Sequence, residues 1–271
     1  MKRLRFSLRP AGAACCCALT LVAPAKGAAD REVALTTLTA LPAGITLPVE
    51  LLKTLHAGKT AAGSRIVLKT TQRVPLAGHL YLERGAEVLG EVTASDAGDL
   101  TTVHPPSLAF RLTSVRYRRQ QVPVLTKVIA IANFTDVQET SVPSNGATDR
   151  GNANPASWTT TQVGGDEVYR SGWVGEVADT VMRTVGYANY DGVYRLPKHD
   201  PQTGAVSLPC AMGVFSTTAT GLYGFEQGSR LTSSAGMSTV VGGAKTLLLR
   251  GGDDLLLEVI GASPDQPIKS R

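Results

Sequence analysis

The eight residues GITLPVEL, Gly44–Leu51, alternate between apolar and other side chains. Successive side chains of a strand point to opposite faces, so one face receives four aliphatic residues: Ile45, Leu47, Val49 and Leu51. Glycine supplies the unusual backbone angles of a turn. The stretch therefore predicts a strand that leaves a turn at Gly44 and buries one of its faces.

The same phrase recurs in GAEVLGEV, Gly85–Val92, and in GDDLLLEV, Gly252–Val259. In each copy, positions three, five and seven after the glycine share one face. Position six lies on the other face and is always a glutamate: Glu50, Glu91 and Glu258. We interpret these carboxylates as solvated strand faces that discourage edge-to-edge association, rather than as a metal or catalytic cluster. Gly90 stands where the other copies have an aliphatic residue, which predicts a close approach by a neighbouring backbone or bulky side chain.

Alternation with period two continues in SRIVLKTTQ, SLAFRLTSVRYRRQ and QVPVLTKVIAIANF, with glycine or proline in most of the turns between strands. Helical spacing of apolar residues is not found after residue 30. Short strands at a spacing of roughly ten residues are typical of all-β proteins. The predicted fold is an all-β barrel, or a barrel-like sandwich of short antiparallel strands, interrupted by a long polar loop.

Composition divides the chain into a β-rich first half, 30–132, a polar linker or insertion, 133–157, and a β-rich second half, 158–262. Residues 263–271 are predicted to be a flexible tail. Because GDDLLLEV repeats the opening phrase, the last strand is a candidate to pair with the first sheet and complete one interrupted barrel. Two successive β domains are the alternative.

Residues 1–29 combine a basic start, a short apolar run and small residues at Gly27 and Ala29. This order is that of a secretory signal peptide with cleavage near Ala29, and the apolar run is short for a membrane span. The mature protein is therefore expected to be periplasmic or secreted, without a transmembrane segment.

Charge gives no support for nucleic-acid binding. The chain has 27 lysines and arginines against 22 acids. Five of these bases lie in the leader, which has no acid, so 22 bases remain after its removal. A nucleic-acid site needs a clustered basic face, and the only local basic cluster, RYRRQ at Arg116–Gln120, is interpreted as a solvated strand end.

The segments LPAGITLPVELLKTLHAGKTAAGSRIVLKTT, 41–71, and GHLYLERGAEVLGEV, 78–92, carry a family resemblance. Over residues 38–132 the chain resembles the periplasmic β-barrel domain of VirB10/TrbI-type envelope proteins. GVFSTTATGLYG, Gly213–Gly224, is similar to a segment of short exported bacterial proteins of uncharacterised role. These resemblances imply a free barrel that packs against envelope partners and performs no chemistry.

No catalytic or cofactor motif stands out. The four histidines, His56, His79, His104 and His199, lack the close spacing of metal ligands. A phosphate-binding loop, a GxGxxG turn and a GxSxG elbow are all missing from the sequence. We expect neither a metal nor a cofactor.

Cys210 is the only cysteine after the leader. One hypothesis makes it a nucleophile, with His199 as its base and Asp200 or Asp191 as the orienting group. The alternative is a small buried apolar residue at the start of a strand.

The segment Trp158–Tyr194 holds six of the fourteen aromatic residues of the chain: Trp158, Tyr169, Trp173, Tyr187, Tyr190 and Tyr194. Asp191 and other polar residues are interspersed with them. Aromatic faces beside carboxylates and amides suit stacking on sugar rings or on the apolar patch of a partner. Alternatively, half of these rings fill the core of a second sheet.

The predicted function is that of an exported, non-enzymatic bacterial cell-envelope protein that binds or scaffolds a partner through the aromatic second half. A glycan- or peptidoglycan-binding module that uses the same rings is the first alternative. A Cys210-dependent enzyme is the second. The sequence leaves the partner and the oligomeric state undetermined.

Overall fold

Alternating apolar residues form strands throughout the computed structural model, which describes residues 39–99, 103–144, 157–199, 201–202, 204, 206–234, 236–243 and 246–261. These residues all belong to one unit, Thr37–Arg271. The predicted leader, the predicted tail and residues 145–156 of the predicted linker lie outside the described residues. The all-β prediction is confirmed, since strands dominate the described chain.

The first nine strands are β1 (Thr46–Leu51), β2 (Leu55–His56), β3 (Arg65–Thr70), β4 (Val74–Pro75), β5 (Tyr81–Leu82), β6 (Glu87–Asp96), β7 (Ser107–Tyr117), β8 (Gln120–Pro123) and β9 (Leu125–Ala132). A 3₁₀ turn, Ala77–His79, separates β4 from β5, and helix α1 (Phe134–Glu139) follows β9. The later strands are β10 (Ser157–Thr161), β11 (Glu167–Ser171), β12 (Val174–Ala178), β13 (Thr184–Asn189), β14 (Gly192–Arg195), β15 (Cys210–Ala211), β16 (Gly221–Tyr223), β17 (Arg230–Ser234), β18 (Met237–Val241), β19 (Leu248–Leu249) and β20 (Asp254–Gly261).

The first sheet has ten strands, nine of them in the order β16-β9-β20-β1-β3-β6-β7-β18-β17, with β8 paired to β7. Its neighbours are antiparallel except β16, which runs parallel to β9. Strand β20 pairs with β1 on one side and with β9 on the other. Four strands from the second half of the sequence, β16, β17, β18 and β20, thus belong to the same sheet as the first half.

The first sheet curls but does not close. Its edge hairpin β17–β18 is tied to β9 by two hydrogen bonds: the Val128 N–H donates to Ser233 Oγ at 2.9 Å, and the Gly236 N–H donates to Thr126 O at 3.1 Å. Strands β16 and β17 remain the two ends of the sheet. The barrel-like sandwich is therefore confirmed, whereas the closed barrel is wrong.

The second sheet contains six antiparallel strands, β10 to β15, in chain order. One face packs on the outer surface of β9 and β20, where Ala130, Ala132 and Leu256 share a core with Val168 of the second sheet and with Phe215 of the loop after β15. The inner face of the curled sheet encloses the larger core. The molecule is therefore a sandwich with one core inside the curled sheet and another between the sheets.

The repeated phrase has the predicted geometry. Its inward positions lie in the larger core: Leu47, Val49, Leu51, Val88, Val92, Leu255, Leu257 and Val259. Glu50 is exposed, and Glu91 and Glu258 are half-buried. Two copies are covered on both faces rather than one: Thr46 and Pro48 are buried in the first copy, and Leu256 lies in the second core in the third. The run LLL is continuous because both faces of β20 are covered.

Helix α1 lies within residues 133–157, the segment interpreted from the sequence as a polar linker or insertion. The Asn133 side chain caps the helix by accepting a hydrogen bond from the Asp136 N–H at 2.9 Å. The Phe134 N–H donates to Asp253 Oδ1 at 2.9 Å, which ties the helix to the start of β20. Six residues are too few to show helical periodicity in a sequence, so only the cap could have indicated the helix.

Gln72, which is 2% exposed, joins the loop after β3 to the second sheet. Its Nε2 donates to Val193 O at 2.9 Å, and its Oε1 accepts from the Gly213 N–H at 2.8 Å. The Thr46 hydroxyl makes a further buried bond, to Ala211 O at 2.6 Å. Buried polar groups that are satisfied in this way fix one arrangement of the two sheets.

Candidate binding site

The six predicted aromatic residues all lie in the second sheet or its turns. Trp173 lies in the β11–β12 turn and Tyr190 in the β13–β14 turn, while the others lie on strands: Trp158, Tyr169, Tyr187 and Tyr194. Cross-strand pairing places Tyr169, Tyr187 and Tyr194 on one face. Trp158 pairs with Arg170, the neighbour of Tyr169, and so belongs to the opposite face. Five of the six rings form two separate groups of contacting rings.

Trp158, Trp173 and Tyr190 form the first group, which we call the aromatic platform. The Trp173 and Tyr190 rings stack with centroids 5.6 Å apart and an interplanar angle of 21°. Trp158 meets Trp173 edge-on, with centroids 6.4 Å apart and an angle of 89°. Trp173 is 61% exposed and Tyr190 is 77% exposed, whereas Trp158 is half-buried. The platform is thus a preformed aromatic surface that faces water.

Two neighbouring turns build the platform. Gly172 has a φ of 67° in the turn that carries Trp173. In the other turn, Asn189 Oδ1 accepts a hydrogen bond from the Asp191 N–H at 2.8 Å and fixes the backbone around Tyr190. Both turns lie at the same end of the sheet because antiparallel neighbours bring alternate connections to one side.

The second group lines a cleft of about 350 Å³ between the second sheet and the β4–β5 segment. We call this site the tyrosine cleft; its principal residues are Tyr81, Tyr187, Tyr194, His79, Asn189 and Asp191. Tyr187 and Tyr194 stack with centroids 5.3 Å apart and an angle of 20°. Tyr194 is buried, and its hydroxyl donates to Arg73 O at 3.0 Å.

Arg73 lies beside the cleft and contacts two of its lining residues, Tyr81 and Asp191. Its guanidinium carbon lies 4.3 Å from the centre of the Tyr81 ring, in cation–π geometry. Its nitrogens form ion pairs with Glu83 at 3.0 Å and with Asp191 at 3.3 Å. Burial alone would lower the pKa of Arg73, but the two carboxylates raise it above its ordinary value. Arg73 therefore holds Asp191 and Tyr81 in fixed positions from the first half of the chain.

Burial raises the pKa of Tyr194, and the charge of Asp191 adds to this effect. Burial also raises the pKa of Tyr187, with a smaller contribution from Tyr81. Both phenols are thus protonated at neutral pH and act as hydrogen-bonding groups rather than as bases.

The sequence left two interpretations of the six aromatic rings, a binding surface and a core. Each describes some of them. Tyr194 belongs to the larger core, and Tyr187 packs against it from the cleft. Tyr169 belongs to neither group; its hydroxyl lies 3.6 Å from Met182 Sδ. Only Trp173 and Tyr190 are largely exposed.

Arg73, Tyr81 and His79 are not among the predicted binding residues. Tyr81 and His79 belong to the β4–β5 segment, and Arg73, which directly precedes β4, reaches Asp191 across 118 residues of sequence. No local pattern signals such a pairing. The one available cue is the turn-rich text PLAGH, which precedes Tyr81.

Cys210 is 5% exposed and lies in the second core. Arg195 Nη2 donates to its sulphur at 3.1 Å, and the Gly44 and Leu208 carbonyl oxygens lie 3.8 and 3.7 Å away. His199 is exposed and pairs with Val206. Asp200 lies outside the described residues, and Asp191 is paired with Arg73. These contacts favour the buried apolar interpretation, while catalysis by Cys210 stays a prediction.

We expect the Cys210 thiol to react with iodoacetamide about 100-fold more slowly in the native protein than in urea, because access requires local unfolding. Mass spectrometry of the Cys210 peptide over time measures this ratio. The three leader cysteines lie in other peptides and serve as internal references where the leader is retained. Rapid native alkylation below pH 7 would contradict the buried interpretation and favour an activated thiolate.

Among the described residues, no group of three or more histidines, cysteines and acids is arranged to hold a metal ion. Within the same residues, no helix is long and apolar enough to cross a membrane. Comparison with protein families, with curated proteins and with solved structures found no match for this chain.

Proposed function

We propose that this chain is a non-enzymatic, exported protein of the bacterial cell envelope that binds a protein partner through the aromatic platform. The observation that carries the proposal is the stack of Trp173 on Tyr190, with both rings mostly open to water. Large exposed aromatic surfaces mark interaction sites more often than isolated apolar residues do.

The composition of the platform suits a protein interface. Tryptophan and tyrosine dominate the few interface residues that carry most of the binding energy. Val174, 55% exposed, extends the apolar surface beside Trp173. The rings are already held by one another, so less conformational entropy is lost when a partner binds.

The assignment to the envelope is supported by the leader-like residues 1–29 and by the resemblance of residues 38–132 to a periplasmic domain. The formally neutral balance of charge after residue 29 agrees with a partner bound through apolar contacts rather than through charge.

A cell-wall glycan is the second candidate for the platform. The high exposure of Tyr190 favours it, because the ring lies open to a sugar ring and Asp191 follows it in the same turn. A glycan would be held by stacking together with hydrogen bonds, whereas a protein would cover all three rings.

We expect Trp173→Ala to weaken partner binding about 30-fold, since removing a central aromatic residue from an interface typically costs about 2 kcal/mol or more. The measurement is a crosslinked pull-down from a native envelope extract, read by mass spectrometry for proteins and muropeptides, followed by titration of the recovered partner. The only two tryptophans of the chain, Trp158 and Trp173, both lie in the platform, so intrinsic fluorescence reports binding directly.

The matched control is Val181→Ala, an equally exposed side chain in the β12–β13 turn of the same sheet. A defined envelope protein that is captured by the parent and by this control, and lost in Trp173→Ala, supports the proposal. Muropeptides lost in the same pattern would favour the glycan instead. Equal capture by all three proteins would overturn the role of the platform.

A further inference from the structure

We infer that the tyrosine cleft is a second binding site, for a single neutral sugar residue that carries an acetamido group. This inference goes beyond partner binding at the aromatic platform and does not depend on it. The cleft lies on the opposite face of the second sheet from Trp158. The two sites share only the β13–β14 turn.

The size and rigidity of the cleft fit a small ligand. A volume of about 350 Å³ lies at the small end of ligand cavities, which span roughly 300–1,000 Å³. The walls are fixed on both sides, because Arg73 holds Asp191 and Gln72 holds the Val193 backbone. Because these walls are already ordered, little conformational entropy is lost when a small ligand binds.

Several polar groups that line the cleft have no hydrogen-bond partner in the part of the chain that the structure describes. Among the described residues, no hydrogen bond uses the Tyr187 hydroxyl, the Asn189 amide nitrogen or the His79 ring. The Asn189 oxygen is already used by the Asp191 N–H. These remaining donors and acceptors suit the hydroxyl groups and the amide of a sugar.

The apolar surface of the cleft explains why an acetamido sugar fits better than a plain one. Aromatic faces such as that of Tyr187 stack on the C–H face of a pyranose ring. Leu76, Leu208 and Pro209 line the same cleft and provide a surface for the methyl of an acetamido group. Burying that methyl is favourable, in proportion to the apolar area removed from water.

Charge selects a neutral ligand. Arg73 contributes one positive charge beside two negative ones, those of Glu83 and Asp191. The guanidinium is occupied by these carboxylates and by the Tyr81 ring. A phosphate or carboxylate on the ligand would thus meet a net negative wall whose arginine, Arg73, is already paired.

The backbone at the rim of the cleft is strained. His79 adopts a φ of 61° directly after Gly78, which has a φ of 69°. A residue other than glycine seldom occupies this left-handed region, and such residues concentrate at ligand clamps and active sites. His79 and Asn189 both line the cleft.

The test is a titration of the full chain with N-acetylglucosamine by calorimetry, with saturation-transfer NMR to identify the contacted protons. We expect transfer to the acetyl methyl and to one ring face. Glucose should bind at least fivefold more weakly, and N-acetylglucosamine 6-phosphate at least tenfold more weakly. Tyr187→Ala should weaken binding at least tenfold, and Tyr187→Phe only about threefold, because the second variant keeps the ring.

His79→Asn is a second variant for the case that Tyr187→Ala fails to fold, because asparagine tolerates the left-handed backbone. We expect this variant to bind N-acetylglucosamine about threefold more weakly, with an unchanged melting temperature. Trp173→Ala, which alters only the platform, should bind the sugar as the parent does. No binding by the parent, or equal binding by the parent and a folded Tyr187→Ala, would overturn the inference.

The same variants separate this inference from the proposed function. Loss of sugar binding in Tyr187→Ala with partner capture intact would show two independent sites. Partner capture without any sugar binding overturns the sugar site alone. Sugar binding without partner capture overturns the proposed function alone.

Discussion

Asp254→Asn is expected to stabilise the protein by about 2–4 kcal/mol above pH 7 and to leave its stability unchanged below pH 4. Burial, together with the negative charges of Glu50 and Asp253, raises the pKa of Asp254 to about 7. Asp254 is only 3% exposed and lies opposite Glu50 in the pairing of β20 with β1. Each pKa unit corresponds to about 1.4 kcal/mol of differential stability.

The sign of this effect follows from proton binding. An unfolded chain releases the proton of an aspartate near pH 4, whereas the folded protein keeps it until about pH 7. Between these values the folded state binds more protons, so stability falls as the pH rises. Above pH 7 both states are ionised and the whole penalty is present, which asparagine removes.

Urea unfolding at pH 4, 6 and 8 measures the difference between parent and variant. Glu258→Gln, on the same strand but half-buried, is the control and should show no comparable rise in stability. A loss of stability in Asp254→Asn at every pH would mean that the ionised carboxylate is favourable where it lies, contrary to this account.

Gly90→Ala is expected to destabilise the fold by about 3 kcal/mol or more. A Cβ at this position would lie 2.1 Å from Arg111 O and 2.9 Å from Leu112 Cα, both in the backbone of β7. The pairing of β6 with β7 shifts its register between Leu89 and Gly90, so the two strands approach closely there. Overpacking in a fixed core usually costs about 1–3 kcal/mol, and a clash with backbone relaxes poorly.

The control for this variant is Gly261→Ala. Gly261 is also a strand glycine, but no heavy atom lies within 4 Å of the position of its Cβ. We expect that substitution to change the unfolding midpoint little. Equal midpoints for Gly90→Ala and the parent would show that β6 and β7 can separate without loss of the core.

Period-two alternation predicted the strands and their buried faces, because every second side chain of a strand points to the same face. The close approach of the β7 backbone to Gly90 was predictable from the same pattern. A glycine at a position where the other copies have an aliphatic residue indicates that a neighbour occupies the space of the side chain. Leu256 shows what this alternation does not predict. Its apolar character reflects the second sheet on the outer face of β20, and a single sequence does not say which strand covers another.

The aromatic platform could be predicted in part, because Trp158, Trp173 and Tyr190 are close in sequence. Their division from Tyr187 and Tyr194 depends on cross-strand register, which short apolar runs do not specify. The tyrosine cleft as a whole could not be predicted, although Tyr187, Tyr194 and Asp191 are among the predicted binding residues. It forms where Arg73 meets Asp191, and this contact depends on how the two sheets dock rather than on any local propensity.

The position of β20 between β1 and β9 determines when the chain can become native. These partners lie far apart in the sequence, and the middle of the sheet stays open until synthesis has passed Gly261. Until then, β1 and β9 each present an unpaired apolar edge of the kind that recruits other chains. The native strand order of this sheet can therefore be completed only after β20 has been synthesised.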